Sequence, residues 1–135
     1  MQRRHFLIHL SRALAACSAL SGAAHAGRPT RLHLQDCRIA GSQYYDCLVV
    51  LPELRPGDRL QLRRQPDNLH DPRAIEVLWH DRKLGYLPRL DNAAAASLLD
   101  RAHDLRGEIL AVDDPEEEWE PVRLRVWAHD QSSKA

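Results

Sequence analysis

A short polar segment, residues 65–71, carries the side chains best suited to hold a ligand. Asn68, His70 and Asp71 stand close together within it. Arginines flank the segment on both sides: Arg63, Arg64 and Arg73. A carboxylate beside an amide can hold a hydroxyl group, and arginine can hold a phosphate. Because a histidine or tyrosine ring can also stack on a base, these residue types suit a nucleotide-like ligand.

The same segment has a simpler interpretation as a self-stabilised turn. Pro66, Asn68 and the pair Asp71-Pro72 are turn formers, and Asn and Asp side chains commonly bond their own backbone. From the residue types alone, a plain connection between two strands is favoured over a ligand loop.

Alternating polar and apolar residues predict the strands that position this loop. Residues 59–63 alternate strictly, so that Leu60 and Leu62 point inward. Pro66 ends this strand, because proline cannot donate to the ladder. Further strands are predicted at residues 31–35, 44–50, 74–79, 83–88, 108–112 and 122–127.

One clear helix follows the strand at residues 83–88. Asp91 is its expected N-cap, the alanines of residues 93–96 favour helix, and Gly107 lies beyond its end. The chain is therefore predicted to be mainly β with one or two helices. The expected architecture is a small, partly closed antiparallel β-barrel with a helix across it.

The N-terminus has the layout of an export signal. Arg3 and Arg4 begin an RRxFL pattern, an apolar stretch follows, and an A-x-A site ends at Ala26. We therefore expect a twin-arginine signal peptide at residues 1–26, a periplasmic or otherwise exported single domain at 27–130, and a disordered tail at 131–135. Residues 14–17 also resemble a lipobox, and lipidation at Cys17 would instead tether the chain to a membrane.

The charge balance limits how the domain could contact nucleic acid. The whole chain has 19 basic and 19 acidic residues. Removing residues 1–26 takes away three arginines and no acid, which leaves 16 basic against 19 acidic residues and a formal charge of −3. Broad electrostatic coating of nucleic acid is therefore excluded, and any such contact must be local.

Two cysteines, Cys37 and Cys47, remain after the predicted cleavage. In an oxidising compartment they could form a disulfide, and two buried thiols are equally compatible with the sequence. There is no C-x-x-C and no histidine pair at metal-ligand spacing, so neither a metal nor another cofactor is expected.

Four motifs in order resemble the HIRAN domain over residues 38–112. They are AGSQYY at 40–45, GDRLQL at 57–62, QPDNLHDPRAIEV at 65–77 and LGYLPR at 84–89. The resemblance implies a small OB-like or SH3-like antiparallel β-barrel. In eukaryotic members this domain belongs to helicase-like DNA repair enzymes and captures the 3′ end of single-stranded DNA.

The resemblance also implies a ligand pocket formed by seven residues: Tyr44, Tyr45, Asn68, His70, Asp71, Tyr86 and Arg89. The tyrosines at 44 and 45 would stack on terminal bases. Asp71 would accept the terminal 3′-hydroxyl, and Tyr86 and Arg89 would contact the backbone or the last base.

These features favour a binding module with no catalytic residues. The chain has no P-loop and no GxSxG, and the pair His70-Asp71 has no evident nucleophile beside it. The expected partner is a single-stranded DNA 3′ end or a nucleotide-like ligand. The alternative is an envelope protein, contacted through strand edges or the surface of Trp79 and Trp127.

Overall fold

The computed structural model describes residues 30–130, which form one antiparallel sheet with short helices. The strands are β1 (Arg31–Arg38), β2 (Arg59–Arg64), β3 (Ile75–Trp79), β4 (Arg82–Tyr86), β5 (Asp104–Val112) and β6 (Val122–His129). The α-helices are α1 (Cys47–Val50) and α2 (Ala93–Asp100), and 3₁₀ turns span Ser42–Tyr44 and Leu51–Glu53. The prediction of a mainly β, barrel-like domain is confirmed.

The sheet curls until its two edges meet at one point. Its strand order is β1-β6-β5-β2-β3-β4, so β1 and β4 are the edges. Ala40, just after β1, exchanges two backbone hydrogen bonds with Tyr86 at the end of β4, with N···O distances of 2.8 and 3.0 Å. This single bridge makes a partly closed barrel. It also holds residues 41–45 against the end of β4.

A two-residue hairpin loop and a bulge set the direction of β4. His80 and Asp81 both have positive φ, 45° and 65°, as the type I′ turn requires. The register then shifts between Val77 and Leu78. Because Leu78 pairs with Lys83 while Val77 pairs with residue 85, one residue of β4 is extra at that point, which is a β-bulge.

Gly85 stands at this bulge because no side chain fits there. Its φ is +156°, and a Cβ would lie 2.4 Å from the carbonyl oxygen of Ala40 and 2.7 Å from Cγ2 of Ile39. Both distances are shorter than real Cβ contacts. The glycine therefore permits the close approach of the two sheet edges.

The core lies inside the curled sheet, and the helices cover its open side. Its largest wholly buried apolar side chains come from four of the strands (β3 to β6), from α1 and from the loops between elements: Ile39, Val50, Leu54, Ile75, Val77, Leu84, Leu87, Ile109, Val122, Leu124 and Val126. Ala95 and Ala96 present the buried face of α2. Small residues there let the helix approach the sheet closely, and burial of this apolar surface is the main stabilising contribution.

The strand predicted at residues 44–50 was wrong, because this segment folds as a 3₁₀ turn followed by α1. Cys47 and Val50 are buried, whereas Leu48 and Val49 between them are exposed. A spacing of three residues between buried positions is that of a helix rather than of a strand. The aromatic and β-branched residues therefore serve as a short helical cover for the core.

The boundaries of α2 also differ from the prediction. The N-cap position belongs to Asn92 instead of Asp91, and the helix ends at Asp100 before Ala102, whose φ is +63°. Gly107 lies inside β5, where a Cβ would stand 3.0 Å from Cβ of Leu60. It is thus a packing glycine, and β5 begins four residues before the predicted start at 108.

Cys37 and Cys47 are free thiols, so the bridge that the sequence left open is not formed in the structure. Cys37 lies half-buried on β1 near Gln35, and Cys47 is wholly buried at the start of α1. Burial raises the pKa of Cys37 to about 11 and also raises the pKa of Cys47. Each thiol therefore packs as a small apolar group.

The predicted signal peptide, the lipidation alternative at Cys17 and the tail at 131–135 lie outside the described residues and stay predictions. Between residues 30 and 130, no helix has the length and apolar character needed to cross a membrane.

Candidate functional site

Three chain segments converge on a cavity of about 290 Å³ at the closed end of the sheet. They are the turn after β1, the polar loop between β2 and β3, and the stretch that leaves β4. The cavity is lined by all seven residues of the predicted pocket, Tyr44, Tyr45, Asn68, His70, Asp71, Tyr86 and Arg89, together with Ala40, Gly41, Ala74 and Leu87. The structure thus brings together side chains that are up to 45 positions apart in the sequence, counting from Tyr44 to Arg89.

Asp71 presents a fixed, ionised carboxylate to this cavity. Its Oδ1 accepts a hydrogen bond from the Arg73 amide at 2.9 Å, and its Oδ2 accepts one from Nδ2 of Asn92 at 2.7 Å. Desolvation raises the pKa of Asp71, but these two hydrogen bonds and the nearby charges of Arg89 and Arg73 outweigh it. The net pKa is lowered, so the group is an acceptor at neutral pH. Each oxygen retains lone pairs for a further donor.

Asn68 builds the loop that carries Asp71. Its Oδ1 accepts from the backbone amides of His70 and Asp71 at 2.8 and 3.0 Å, which is the self-bonded turn expected of this residue type. Its Nδ2 donates to Oε1 of Gln65 at 2.7 Å and lies 3.4 Å from the Tyr86 hydroxyl. The loop is therefore both a self-stabilised turn and a wall of the cavity, because the hydrogen bonds of the turn determine the shape of that wall.

The three tyrosines form an aromatic side of the cavity. The rings of Tyr45 and Tyr86 meet edge to face, with centroids 5.7 Å apart and an interplanar angle of 71°. The Lys83 ammonium lies 4.2 Å from the centroid of each. Desolvation and the neighbouring Tyr86 hydroxyl raise the pKa of Tyr45. Tyr44 is 77% exposed, and its ring has no aromatic or cationic partner within residues 30–130.

Arg89 and His70 stand at the exposed rim. No hydrogen bond or ion pair engages the side chain of Arg89 in the part of the chain that is described. Its charge acts on Asp71, whose pKa it helps to lower. An unengaged guanidinium beside an ionised carboxylate offers both a donor fork and an acceptor at one cavity mouth.

Sequence reasoning missed four supporting residues: Gln65, Glu76, Lys83 and Asn92. Asn92 is wholly buried and donates to both Asp71 and the Arg73 carbonyl, the latter at 3.0 Å. The sequence predicted Asp91 as the cap of α2 and indicated no role for Asn92. Glu76 is 5% exposed and ties Lys83, Arg63 and Gln65 together. These contacts cross between distant segments, and no local spacing could have indicated them.

A second, larger concavity of about 680 Å³ lies over β2 and β5. Two of its arginines are already paired, Arg63 with Glu76 at 2.7 Å and Arg106 with Asp104, which also lines the concavity, at 2.9 Å. No aromatic side chain lines it. The smaller cavity is therefore better equipped for a base or a sugar hydroxyl, because it combines rings, a carboxylate and a guanidinium.

Known proteins resemble this chain in sequence and in fold. A rice (Oryza sativa subsp. japonica) protein named Fanconi-associated nuclease 1 homolog is 35% identical over 95 residues, which is 67% of this chain and 9% of that protein. A crystal structure of a Lactobacillus plantarum protein superposes with a TM-score of 0.68 at 28% identity, covering 77% of this chain and all of that one. The HIRAN domain of human HLTF has the same fold, with a TM-score of 0.57 at 18% identity, covering 76% of this chain and 81% of that domain.

The family match agrees with the extent of the sheet. The HIRAN domain family matches residues 32–129, from the start of β1 to the end of β6. This span is most of the chain and contains the whole cavity described above. The chain therefore belongs to the HIRAN domain family.

Proposed function

We propose that the cavity binds the end of a single nucleic-acid strand, with Asp71 accepting a hydrogen bond from the terminal 3′-hydroxyl. The observation that carries this proposal is the carboxylate of Asp71, which two hydrogen bonds fix in a cavity that it shares with tyrosine rings and the unengaged Arg89. A hydroxyl donates to such a carboxylate through a charge-assisted hydrogen bond. A terminal phosphate brings a second negative charge to the same place and is repelled.

The rest of the cavity suits the nucleotide that carries this hydroxyl. Tyr44 offers a largely exposed ring, and stacking of a base on an aromatic ring tolerates any base identity. Arg89 is available for a backbone phosphate. A volume of about 290 Å³ is at the lower end of the range for ligand pockets. We propose that the cavity receives one terminal nucleotide.

The relatives support a nucleic-acid partner. The rice relative is named as a nuclease homolog, and this chain matches a small part of it. We propose that the domain contributes binding and no bond cleavage. His70 is an exposed rim residue, and both Asp71 oxygens accept hydrogen bonds from its own loop and from Asn92, which suits a recognition group better than a general base.

We propose, from the N-terminal pattern, that this binding occurs in an exported protein. A formal charge of −3 after signal removal makes the pocket a local contact rather than part of a basic surface. The envelope-protein alternative receives less support. Trp79 packs against the core, and the Trp127 ring is covered by Arg31 at 4.4 Å while its Nε1 donates to Glu108 at 3.3 Å.

The test compares two charge-removing substitutions in one loop. Asp71→Asn removes the charge of the proposed acceptor and replaces one of its two oxygens by a donor, whereas Asp67→Asn removes the same charge at an exposed position that does not line the cavity. Binding of a 5′-labelled single-stranded oligonucleotide with a 3′-hydroxyl is measured by fluorescence anisotropy at fixed salt. Loss of a charge-assisted hydrogen bond, worth about 1.5–3 kcal/mol, should weaken binding by about 10- to 100-fold.

Asp67→Asn should change the affinity by less than about twofold, because one exposed charge outside the cavity contributes little. Equal affinities for wild type and Asp71→Asn would refute the assigned role of Asp71. Absence of binding by the wild-type domain at low salt would refute the nucleic-acid proposal altogether.

A further inference from the structure

The Lys83 side chain lies behind the aromatic side of the cavity rather than in it. Lys83 is not among the residues that line the cavity, whereas Tyr45 and Tyr86 are. Its ammonium stands 4.2 Å from both ring centroids and donates to the Tyr86 hydroxyl at 2.6 Å. One cation therefore contacts two pocket rings at once, as a cation–π neighbour of Tyr45 and as a hydrogen-bond donor to the hydroxyl of Tyr86.

The bulge in β4 is what makes this arrangement possible. In a regular strand, residues three apart point to opposite faces of the sheet. The extra residue between the pairs Leu78–Lys83 and Val77–Gly85 reverses that alternation. Lys83 and Tyr86 therefore share one face, together with Glu76, which pairs directly with Tyr86.

Glu76 fixes the ammonium from the core side. The Glu76 side chain is 7% exposed and its Oε1 lies 3.1 Å from Nζ of Lys83. Its Oε1 also accepts from Nε2 of Gln65 at 3.0 Å, and Arg63 balances its second oxygen at 2.7 Å. Oε1 of Gln65 in turn accepts from the Tyr86 hydroxyl and from Asn68, both at 2.7 Å. The network thus reaches the cavity walls on two sides.

We propose that Lys83 is a positioning residue, whose ammonium, anchored by Glu76, clamps the rings of Tyr45 and Tyr86 in the arrangement that receives the ligand. This inference rests on the proposed function for its effect on binding. The placement of the two rings by one cation does not depend on the identity of the ligand.

The first variant is Lys83→Met, which keeps an unbranched side chain and removes the charge. Its matched control is Arg82→Met on the same strand, because Arg82 pairs with Asp46 at 3.2 Å on the surface and touches neither ring. Lys83→Gln, which keeps a donor without the charge, replaces Lys83→Met where the latter lowers the folded population. Urea unfolding establishes that population for each variant.

Two readouts separate a positioning role from a direct phosphate contact. We expect Lys83→Met to weaken binding of a single-stranded oligonucleotide by about tenfold, with the slope of log Kd against log salt unchanged. A slope reduced by about 0.7 overturns the proposal, because it signals one lost phosphate contact on a single strand. An affinity equal to that of Arg82→Met overturns it as well.

A ligand-free readout keeps this inference distinct from the proposed function. The chain has three tyrosines, so ring-labelled tyrosine gives a small NMR spectrum. In Lys83→Met the signals of Tyr45 and Tyr86 should shift, while Tyr44 serves as the internal reference. Unmoved signals refute the clamp whatever the domain binds. Shifted signals in a domain that binds no oligonucleotide leave the clamp standing and refute the proposed function.

Discussion

Replacing Gly85 by alanine should open the barrel where its edges meet. The added Cβ would lie 2.4 Å from the Ala40 carbonyl oxygen and 2.7 Å from Cγ2 of Ile39. The first of these is backbone, which a rotamer change cannot move aside. The edges must therefore separate, and the two hydrogen bonds between Ala40 and Tyr86, at 2.8 and 3.0 Å, are lost.

The expected loss in the free energy of unfolding of Gly85→Ala is the sum of two effects. Each backbone hydrogen bond contributes about 1 kcal/mol net, so losing two costs about 2 kcal/mol. A non-glycine residue at positive φ adds strain of about 1–2 kcal/mol. We therefore expect Gly85→Ala to lower the free energy of unfolding by about 3–4 kcal/mol, a large fraction of the stability of a domain of this size.

Gly57→Ala is the matched control for the strain. Gly57 also has positive φ, +92°, but a Cβ there meets no atom within 4 Å. Its cost should be the strain alone, about 1–2 kcal/mol. Urea unfolding followed by tryptophan fluorescence measures both variants. Equal losses for the two substitutions would refute the claim that Gly85 is required by the close approach of the sheet edges.

Three further outcomes are expected. Asn92→Ala removes the donor to Asp71 Oδ2, so it should cost about 2 kcal/mol in urea unfolding and also weaken oligonucleotide binding, and unchanged binding would contradict the anchoring role. The pKa of Asp36 is lowered to about 2, mainly by the hydrogen bond from Arg125. The ionised carboxylate therefore stabilises the folded state fully above about pH 3.8, and this stabilisation is lost as the pH falls toward 2. Because its side chain is 32% exposed, the stability difference between wild type and Asp36→Asn should shrink by only about 1 kcal/mol between pH 6 and pH 2.5, and a constant difference would contradict the assignment. Cys37 and Cys47 should both react with a thiol reagent in urea and only slowly in the folded domain at pH 7, whereas failure of these two cysteines to react in the denatured state would indicate a disulfide between them.

Alternation predicted most of the sheet because half-buried strands have one apolar face. β2 and β6 illustrate this, since buried Leu60 lies between exposed Arg59 and Gln61, and buried Val122 and Leu124 are separated by exposed Arg123. The strand prediction for residues 44–50 failed because their aromatic and β-branched composition resembles that of a strand. Burial at Cys47 and Val50 instead follows a helical spacing, which the surrounding core imposes.

The residues of the cavity came from resemblance, whereas those that support them could not be read from local patterns. The seven predicted residues lie within short contiguous motifs of the sequence, six of them in loops or turns and Tyr86 at the end of β4. Asn92 reaches Asp71 across 21 positions, and Lys83 reaches Tyr45 only because the sheet edges meet. The bulge at Gly85, which aligns Lys83 with Tyr86, has no alternation signal of its own.

The most direct test of end recognition is the ratio of affinities of the wild-type domain for two oligonucleotides that differ only at the 3′ terminus. One carries a hydroxyl and the other a phosphate, and both are measured at the same salt concentration. Because the pKa of Asp71 is lowered, its carboxylate is ionised at pH 7, and the hydroxyl end should bind at least about tenfold more tightly. Equal affinities for the two ends would contradict the proposal that Asp71 receives the terminal hydroxyl.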